Sequence, residues 1–310
     1  MDPFAGLPEL RTVDLDGPVA YREWGSDAGP GSPTFVCIHG LGGSHLNWMG
    51  VAPGLARSGR VLAPDLIGFG FTPRAARSSS LPSNRSLLSR FIARMAEPPV
   101  VLVGNSMGGA MAMLQAAYEP SSAAGVVLTS PALPWERGGM PSALILAAFA
   151  MYRMPRLGEW FVRARNDRLG PERMVEIGFR LVMADPARVD PALVAAHVES
   201  ARLHAADPDS IPAFLEATRS MLRTGERREF IDELFDRVRV PVLVIHGDQD
   251  RLVNVALARR AAGGRPNWKL VEFAGVGHAA QMEVPARWVA TVEDWLDSTG
   301  IARVDRADAV

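Results

Sequence analysis

Short apolar runs alternate along most of the chain with stretches in which apolar residues recur every three or four positions. The runs are typical of buried strands and lie at residues 34–38, 60–64, 100–103, 124–128, 240–246 and 268–273. The helical spacing predicts helices at residues 45–57, 87–97, 110–119, 255–262 and 285–297. Two more strands are predicted within residues 10–24, on either side of the hairpin signal Asp16-Gly17. Strands that alternate with helices predict an α/β fold with a mostly parallel central sheet and helices on both faces.

The alternation stops between residues 134 and 237, where no run is typical of a strand. The spacing of apolar residues, interrupted by prolines, predicts helices there at residues 142–154, 157–166, 172–183, 191–204 and 211–222. We therefore expect an α/β core made of residues 1–133 and 238–310, with an all-helical insertion at residues 134–237.

The composition is that of an ordinary globular enzyme, with 48% apolar and 22% charged residues in 310 positions. A formal net charge of -1 offers no basic surface for a nucleic acid or an anionic membrane, so no nucleic-acid partner is expected. The N-terminal segment MDPFAGLPEL lacks the basic and apolar regions of a secretory signal. The longest apolar stretch, residues 143–151, is far shorter than the roughly 18 residues that a transmembrane segment needs. The chain is therefore expected to be cytoplasmic.

Residues 100–110, VVLVGNSMGGA, join an apolar run to a helical pattern through a sharp turn. Ser106 stands at the apex of this turn, between Gly104 and Gly108. Such a nucleophile elbow forces the serine into a strained backbone conformation that costs about 1–3 kcal/mol, and the flanking positions lack room for a Cβ. The hydroxyl is then held clear of the sheet, at the positive end of the following helix. Ser106 is therefore the predicted nucleophile.

A serine hydroxyl is a weak nucleophile at neutral pH, so it needs a general base that an acid orients. His278 is the predicted base, because its loop follows the last predicted strand and can reach the elbow at the carboxyl edge of the sheet. Two carboxylates, Asp248 and Asp250, follow the strand at residues 240–246. Asp250 is the preferred acid, since Asp248 sits at the strand exit and is better placed to brace the turn.

The tetrahedral intermediate of acyl transfer needs hydrogen-bond donors for its oxyanion. The backbone N–H of Met107 is one predicted donor, because this residue follows the nucleophile at a helix N-terminus. The other is expected from the glycine-rich loop after the strand at residues 34–38. Leu41 is the simplest choice in that loop, and Gly42 is the second.

Five motifs resemble those of the α/β-hydrolase fold superfamily. They are HGLGG at 39–43, DLIGFG at 65–70, GNSMGG at 104–109, GDQD at 247–250 and GHAAQMEVP at 277–285. The resemblance implies that residues 134–237 form a lid over the site and a pocket for an apolar group. Phe149, Met154 and Trp160 are the candidate substrate-binding residues of that lid. Haloalkane dehalogenases and epoxide hydrolases of this superfamily carry an aspartate where this chain has Ser106, so the resemblance favours a serine mechanism.

We therefore expect a serine hydrolase, carboxylesterase or lipase-like, that cleaves small-molecule esters with apolar acyl groups. Ser106 attacks the ester, His278 takes and returns the proton, and Asp250 holds the imidazole, with no metal and no organic cofactor. Three alternatives stay open: a C–C bond hydrolase of aromatic ring-cleavage products, an acyltransferase, and a non-enzymatic small-molecule receptor on the same fold. C–C bond hydrolases have an elbow like GNSMGG, but they tend to carry an aromatic residue where this chain has Ala279.

Overall fold

A computed structural model describes residues 3–29, 31–134 and 141–301, with the backbone alone for residues 228–230. Within these residues one sheet has the strand order β1-β2-β4-β3-β5-β6-β7-β8. Its strands are β1 (Arg11–Asp14), β2 (Pro18–Trp24), β3 (Thr34–Ile38), β4 (Arg60–Pro64), β5 (Val100–Asn105), β6 (Gly125–Thr129), β7 (Val242–Gly247) and β8 (Trp268–Phe273). β2 is antiparallel to both β1 and β4, and the pairs from β4 to β8 are parallel. The predicted α/β fold with a mostly parallel sheet is confirmed.

The α-helices flank this sheet or lie in the helical insertion. They are α1 (Ala52–Leu55), α2 (Leu81–Met95), α3 (Met107–Tyr118), α4 (Ala143–Arg153), α5 (Leu157–Val182), α6 (Pro191–Ala205), α7 (Ser210–Gly225), α8 (Arg228–Arg237), α9 (Val255–Ala262), α10 (Ala280–Glu283) and α11 (Pro285–Thr299). Among the described residues, no helix is long and apolar enough to cross a membrane.

The central strands are buried on both faces, as continuous apolar runs require. On β5, Val100 and Leu102 pack into the apolar cluster that contains residues of α2, α3 and α8. Val101 and Val103 point the other way, into a cluster with residues of α1 and α11. This alternation sandwiches the sheet between two helical layers and leaves the carboxyl ends of its strands at one edge.

Several helix boundaries differ from the sequence prediction. The helix expected at residues 45–57 is broken into a short 3-10 helix at His45–Trp48 and α1. α2 begins at Leu81 rather than at residue 87, since Pro82 lies in its first turn, where a proline is tolerated. α8 was not among the predicted helices, and its Ile231, Leu234 and Phe235 are buried with α3 in the core cluster.

α5 spans the two helices predicted at residues 157–166 and 172–183. At their junction Gly170 has φ 72° and ψ 169°, which is not helical, and Pro171 follows. The backbone of α5 therefore forms two helices, which a kink at Gly170 and Pro171 separates. Between β6 and β7 the described residues contain helices and no strand. That residues 134–237 act as a lid stays a prediction.

Candidate active site

Ser106 lies between β5 and α3 with φ 54° and ψ −117°, a backbone conformation that residues other than glycine rarely adopt. The glycines on either side leave no room for a side chain. A Cβ on Gly104 would lie 2.4 Å from the carbonyl oxygen of Gly108, and a Cβ on Gly108 would lie 2.1 Å from that of Ile38. The turn therefore has the strained geometry of a nucleophile elbow, with Ser106 at the N-terminus of α3.

His278 and Asp250 form a close pair at the carboxyl ends of β8 and β7. The Nδ1 of His278 lies 2.7 Å from Oδ2 of Asp250, and both side chains are almost fully buried. Because a carboxylate can only accept, Nδ1 carries the proton and Nε2 is left with a lone pair. This tautomer is the one that a general base toward a serine hydroxyl requires.

Asp250 holds further donors besides His278. Its Oδ1 accepts the backbone N–H groups of Leu252 at 2.8 Å and Val253 at 2.9 Å. The Nε2 of His246 lies 3.2 Å from Oδ2. Burial alone would raise the pKa of Asp250, but the histidines on either side and their hydrogen bonds outweigh it and hold this pKa well below its usual value. Asp250 is therefore a carboxylate, oriented before substrate binds.

His246 lies near the end of β7 and is fully buried. Its Nε2 also lies 2.8 Å from the carbonyl oxygen of Val253, so Nε2 faces two acceptors and carries the proton. Its Nδ1 is buried without a hydrogen-bond partner among the described residues. Sequence reasoning missed the contact between His246 and Asp250. The available signal was that Asp250 follows His246 by four positions, in the turn after β7.

Asp248 and Asn105 fix the loops around this pair. The Oδ1 of Asp248 accepts the backbone N–H of Gly275 at 2.8 Å, which braces the loop before His278. The Nδ2 of Asn105, the residue before Ser106, donates to the carbonyl oxygens of Thr129 at 3.0 Å and His278 at 3.2 Å. The backbone of His278 is thereby tied to the strand that carries the nucleophile.

The two predicted oxyanion donors come from the helix that follows Ser106 and from the loop after β3. Met107 is buried at the first position of α3. A Cβ on Gly40 would lie 3.3 Å from the Cβ of Ser106, so the loop that carries Leu41 runs directly beside the nucleophile. His39 shapes this loop, since its Nδ1 bonds the carbonyl oxygen of Gly40 at 2.8 Å. That the backbone N–H groups of Met107 and Leu41 bind an oxyanion stays a prediction.

Ser106 and His278 both line a cavity of about 860 Å³ whose walls are mostly apolar. Its apolar wall includes Leu41, Leu133, Phe149, Phe179, Ile231 and Met282. α4, α5, α6 and α7 each contribute wall residues, so helices between β6 and β7 line the same cavity as Ser106. A space of this size and lining suits an apolar small molecule.

Of the three predicted substrate-binding residues, the structure brings Phe149 alone to this cavity. Trp160 is 66% exposed and Met154 is 49% exposed, and neither lies on the cavity wall. The reason is visible on α4, where Ile145 lines the cavity while Leu144 is 81% exposed. A helix that is apolar on both faces does not reveal from its sequence which face is inward.

A few polar groups stand in this apolar wall. The Nη1 of Arg165 donates to the hydroxyl of Tyr152 at 2.7 Å. His197 bonds the carbonyl oxygen of Leu193 through Nδ1 at 2.9 Å, and burial lowers its pKa to about 4. His197 is therefore a neutral imidazole at pH 7.

A second aspartate–histidine pair lies away from the cavity wall. Asp65 accepts the backbone N–H of His45 at 2.6 Å and that of Phe71 at 2.8 Å, and the ring Nδ1 of His45 lies 3.0 Å away. A Cβ on Gly70 would fall 2.2 Å from this carboxylate, which explains a glycine in the DLIGFG motif.

The described residues contain no group of three or more histidine, cysteine, aspartate or glutamate side chains that could hold a metal ion.

A family model described as the alpha/beta hydrolase fold matches residues 33–285. The chain is 29% identical to a 2-hydroxy-6-oxo-2,4-heptadienoate hydrolase of Pseudomonas putida, over 87% of this chain and 91% of that protein. It is 24% identical to a haloalkane dehalogenase of Mesorhizobium japonicum, over 97% of this chain and 95% of the other. The crystal structure of a serine hydrolase from Cycloclasticus zankles superposes with a TM-score of 0.70 at 19% identity, covering 94% of this chain and 98% of that chain.

Proposed function

This chain belongs to the alpha/beta hydrolase fold family, and we propose that it hydrolyses carboxylic esters with apolar acyl groups through an acyl-enzyme on Ser106. One observation carries the proposal. Ser106, on a strained elbow, shares a large and mostly apolar cavity with His278, whose Nδ1 is held by Asp250. A nucleophile, a base and an apolar binding space are thus joined in one site.

The reaction follows from these positions. The Oγ of Ser106 attacks the ester carbonyl carbon while Nε2 of His278 takes the hydroxyl proton, and the carbonyl oxygen becomes an oxyanion. The backbone N–H groups of Met107 and Leu41 stabilise that oxyanion. The His278 imidazolium then gives its proton to the departing alcohol, which leaves an acyl-enzyme. Water attacks this ester by the reverse sequence and releases the acid and the free serine.

A second candidate is hydrolysis of a C–C bond in an aromatic ring-cleavage product. Arg165 favours it, because this residue lines the mostly apolar cavity and its guanidinium can pair with a substrate carboxylate. The similarity to a 2-hydroxy-6-oxo-2,4-heptadienoate hydrolase points the same way. A serine at the elbow argues against a dehalogenase of the aspartate type.

A substrate panel separates these candidates. We expect the purified protein to turn over p-nitrophenyl esters of medium acyl length faster than a ring-cleavage dienoate, measured as kcat/KM for each compound. Turnover of the dienoate with none of the esters would replace the proposed function by the second candidate. Stoichiometric binding of an ester with no turnover would instead indicate a receptor.

Replacing Phe149 by alanine is expected to move the preferred acyl chain to a longer ester. Each methylene that the cavity buries contributes about 0.8 kcal/mol, or about fourfold in affinity, until the cavity is full. Removing the Phe149 ring from the wall adds space for a longer acyl chain. The measurement is kcat/KM across p-nitrophenyl esters of increasing chain length. Trp160→Ala is the control, since this exposed side chain lies off the cavity, and its profile should match the wild type.

A further inference from the structure

Glu283 is a buried carboxylate that joins the loop of His278 to the end of α5. Its side chain has no exposed surface. Oε2 accepts the backbone N–H of Gly277 at 2.8 Å and of Ala184 at 3.0 Å. Oε1 accepts the N–H of Asp185 at 3.0 Å and lies 3.3 Å from Nη1 of Arg188. A buried charge is tolerated here because three backbone donors and one guanidinium satisfy both oxygens.

The same segment, residues 182–188, also contacts the His278 loop directly. The carbonyl oxygen of Val182 accepts the backbone N–H of His278 at 2.7 Å and that of Ala279 at 3.1 Å. A Cβ on Gly277 would lie 2.6 Å from the backbone nitrogen of Ala184, so the two backbones are packed as closely as a glycine permits. The backbone of the predicted base is therefore held by residues of the helical insertion.

In the described part of the chain, Glu283 makes no hydrogen bond to Ser106 or to the ring of His278, so its effect on the reaction must pass through the backbone. On one side, Asn105 holds the carbonyl group of His278. On the other side, Val182 holds its N–H group, and Glu283 fixes the segment that carries Val182. If that segment shifts, the imidazole shifts with it relative to Asp250.

We infer that Glu283 is a positioning residue. It holds residues 182–188 against the loop of His278, so that His278 keeps its hydrogen bond to Asp250. The inference rests on the proposed role of His278 as the base. It also implies that residues 182–188 stay fixed against the loop of His278 while the enzyme works.

The chain offers a matched control in Glu216, on α7. This carboxylate also links the insertion to the core, since it accepts from the Ser78 hydroxyl at 2.6 Å and the Ser79 N–H at 3.2 Å and pairs with Arg74 at 2.6 Å. Its partners belong to the loop before α2 rather than to a loop that carries Ser106, Asp250 or His278. Glu216→Gln therefore removes a comparable link without touching the proposed machinery.

The test compares Glu283→Gln with Glu216→Gln in the full chain. In Glu283→Gln one oxygen becomes an NH₂ group that faces backbone N–H donors, so the lock is lost with little change in volume. We expect kcat for the best ester to fall about 10- to 100-fold, with KM within about threefold of the wild type. The low-field proton resonance of the His278 Nδ1–H, assigned by its absence in Asp250→Asn, should weaken or vanish. Glu216→Gln should keep both kcat and the resonance, even where its Tm falls.

If either kcat or the resonance of Glu283→Gln stays at its wild-type value, or if Glu216→Gln loses as much, the inference is overturned. Should Glu283→Gln fail to fold, Arg188→Met carries the test. Arg188 is half exposed, and its Nη1 donates both to Oε1 of Glu283 at 3.3 Å and to the carbonyl oxygen of Gly275, in the loop of His278, at 2.8 Å. We then expect a smaller fall in kcat, about 2- to 10-fold, with a weaker resonance. An unchanged Arg188→Met would overturn the inference equally. The resonance needs no substrate, so an altered resonance without ester turnover would reject the proposed function alone.

Discussion

Replacing Ser106 by alanine is expected to lower kcat for carboxylic esters by about 10⁶-fold, because a triad that loses its nucleophile retains only what substrate binding and the oxyanion donors supply. Ester hydrolysis by purified Ser106→Ala measures this loss. A fluorophosphonate probe, which forms a covalent bond with an activated serine, should label the wild type at Ser106 and leave this variant unlabelled.

Ser130 provides the matched control for this prediction. It follows β6, next to β5 in the sheet, and it also has a positive φ of 43° and a buried side chain. Ser130 is not among the described residues that line the cavity. Ser130→Ala should therefore change kcat by less than about twofold. Labelling that persists in Ser106→Ala would assign the nucleophile to another residue.

The sequence is sufficient to locate the elbow and the two polar loops, because each requires particular residue types at a particular point of a strand. Gly104 and Gly108 are needed by the backbone itself, as the 2.4 Å and 2.1 Å approaches of a hypothetical Cβ demonstrate. Asp250 follows β7, which is buried throughout, and His278 follows β8, an edge strand whose two end residues are buried. The alternation of strands and helices then brings these strand ends to one edge.

The cavity wall could not be derived in the same way. α4 is apolar on its inner and outer faces, so Phe149 and Met154 are equivalent as a pattern, yet only Phe149 lies on the cavity. α8 escaped prediction because charged residues dominate its sequence, while its buried Ile231, Leu234 and Phe235 belong to the same core cluster as residues of α3. These features depend on tertiary packing, which local periodicity does not encode.

Residues that act on the site through others are also invisible to motif reasoning. Glu283 stands in the sequence two positions before the last helix, and its role as a link depends on residues 184 and 185, about 100 positions earlier. His246 reads as the end of a buried strand, and only the turn after β7 brings Asp250 back to its ring. Long-range contacts of this kind need coordinates.

Replacing Asp250 by asparagine is expected to lower kcat by about 10⁴-fold while the fold stays intact, because the asparagine amide favours the wrong tautomer of His278 and no longer stabilises the imidazolium. Asp248→Asn is the control. Its carbonyl oxygen can still accept the N–H of Gly275, so kcat should change by less than about tenfold. Steady-state kinetics on the same ester compare the two. If Asp248→Asn lost more activity than Asp250→Asn, the acid would have to be reassigned to Asp248.

The same substitution has a consequence for stability that depends on pH. The pKa of Asp250 is lower in the folded protein than in the unfolded chain, where it is about 3.9. A carboxyl group whose pKa is lower in the folded protein stabilises the folded state at pH values above its pKa in the unfolded chain. This stabilisation is lost as the pH falls through the pKa of the folded state. The free energy of unfolding of the wild type should therefore exceed that of Asp250→Asn by a constant amount at neutral pH, and the difference should shrink below about pH 4. Urea unfolding of both proteins from pH 7 downward measures it. A difference that stayed constant across this range would mean that the histidines do not stabilise the Asp250 carboxylate.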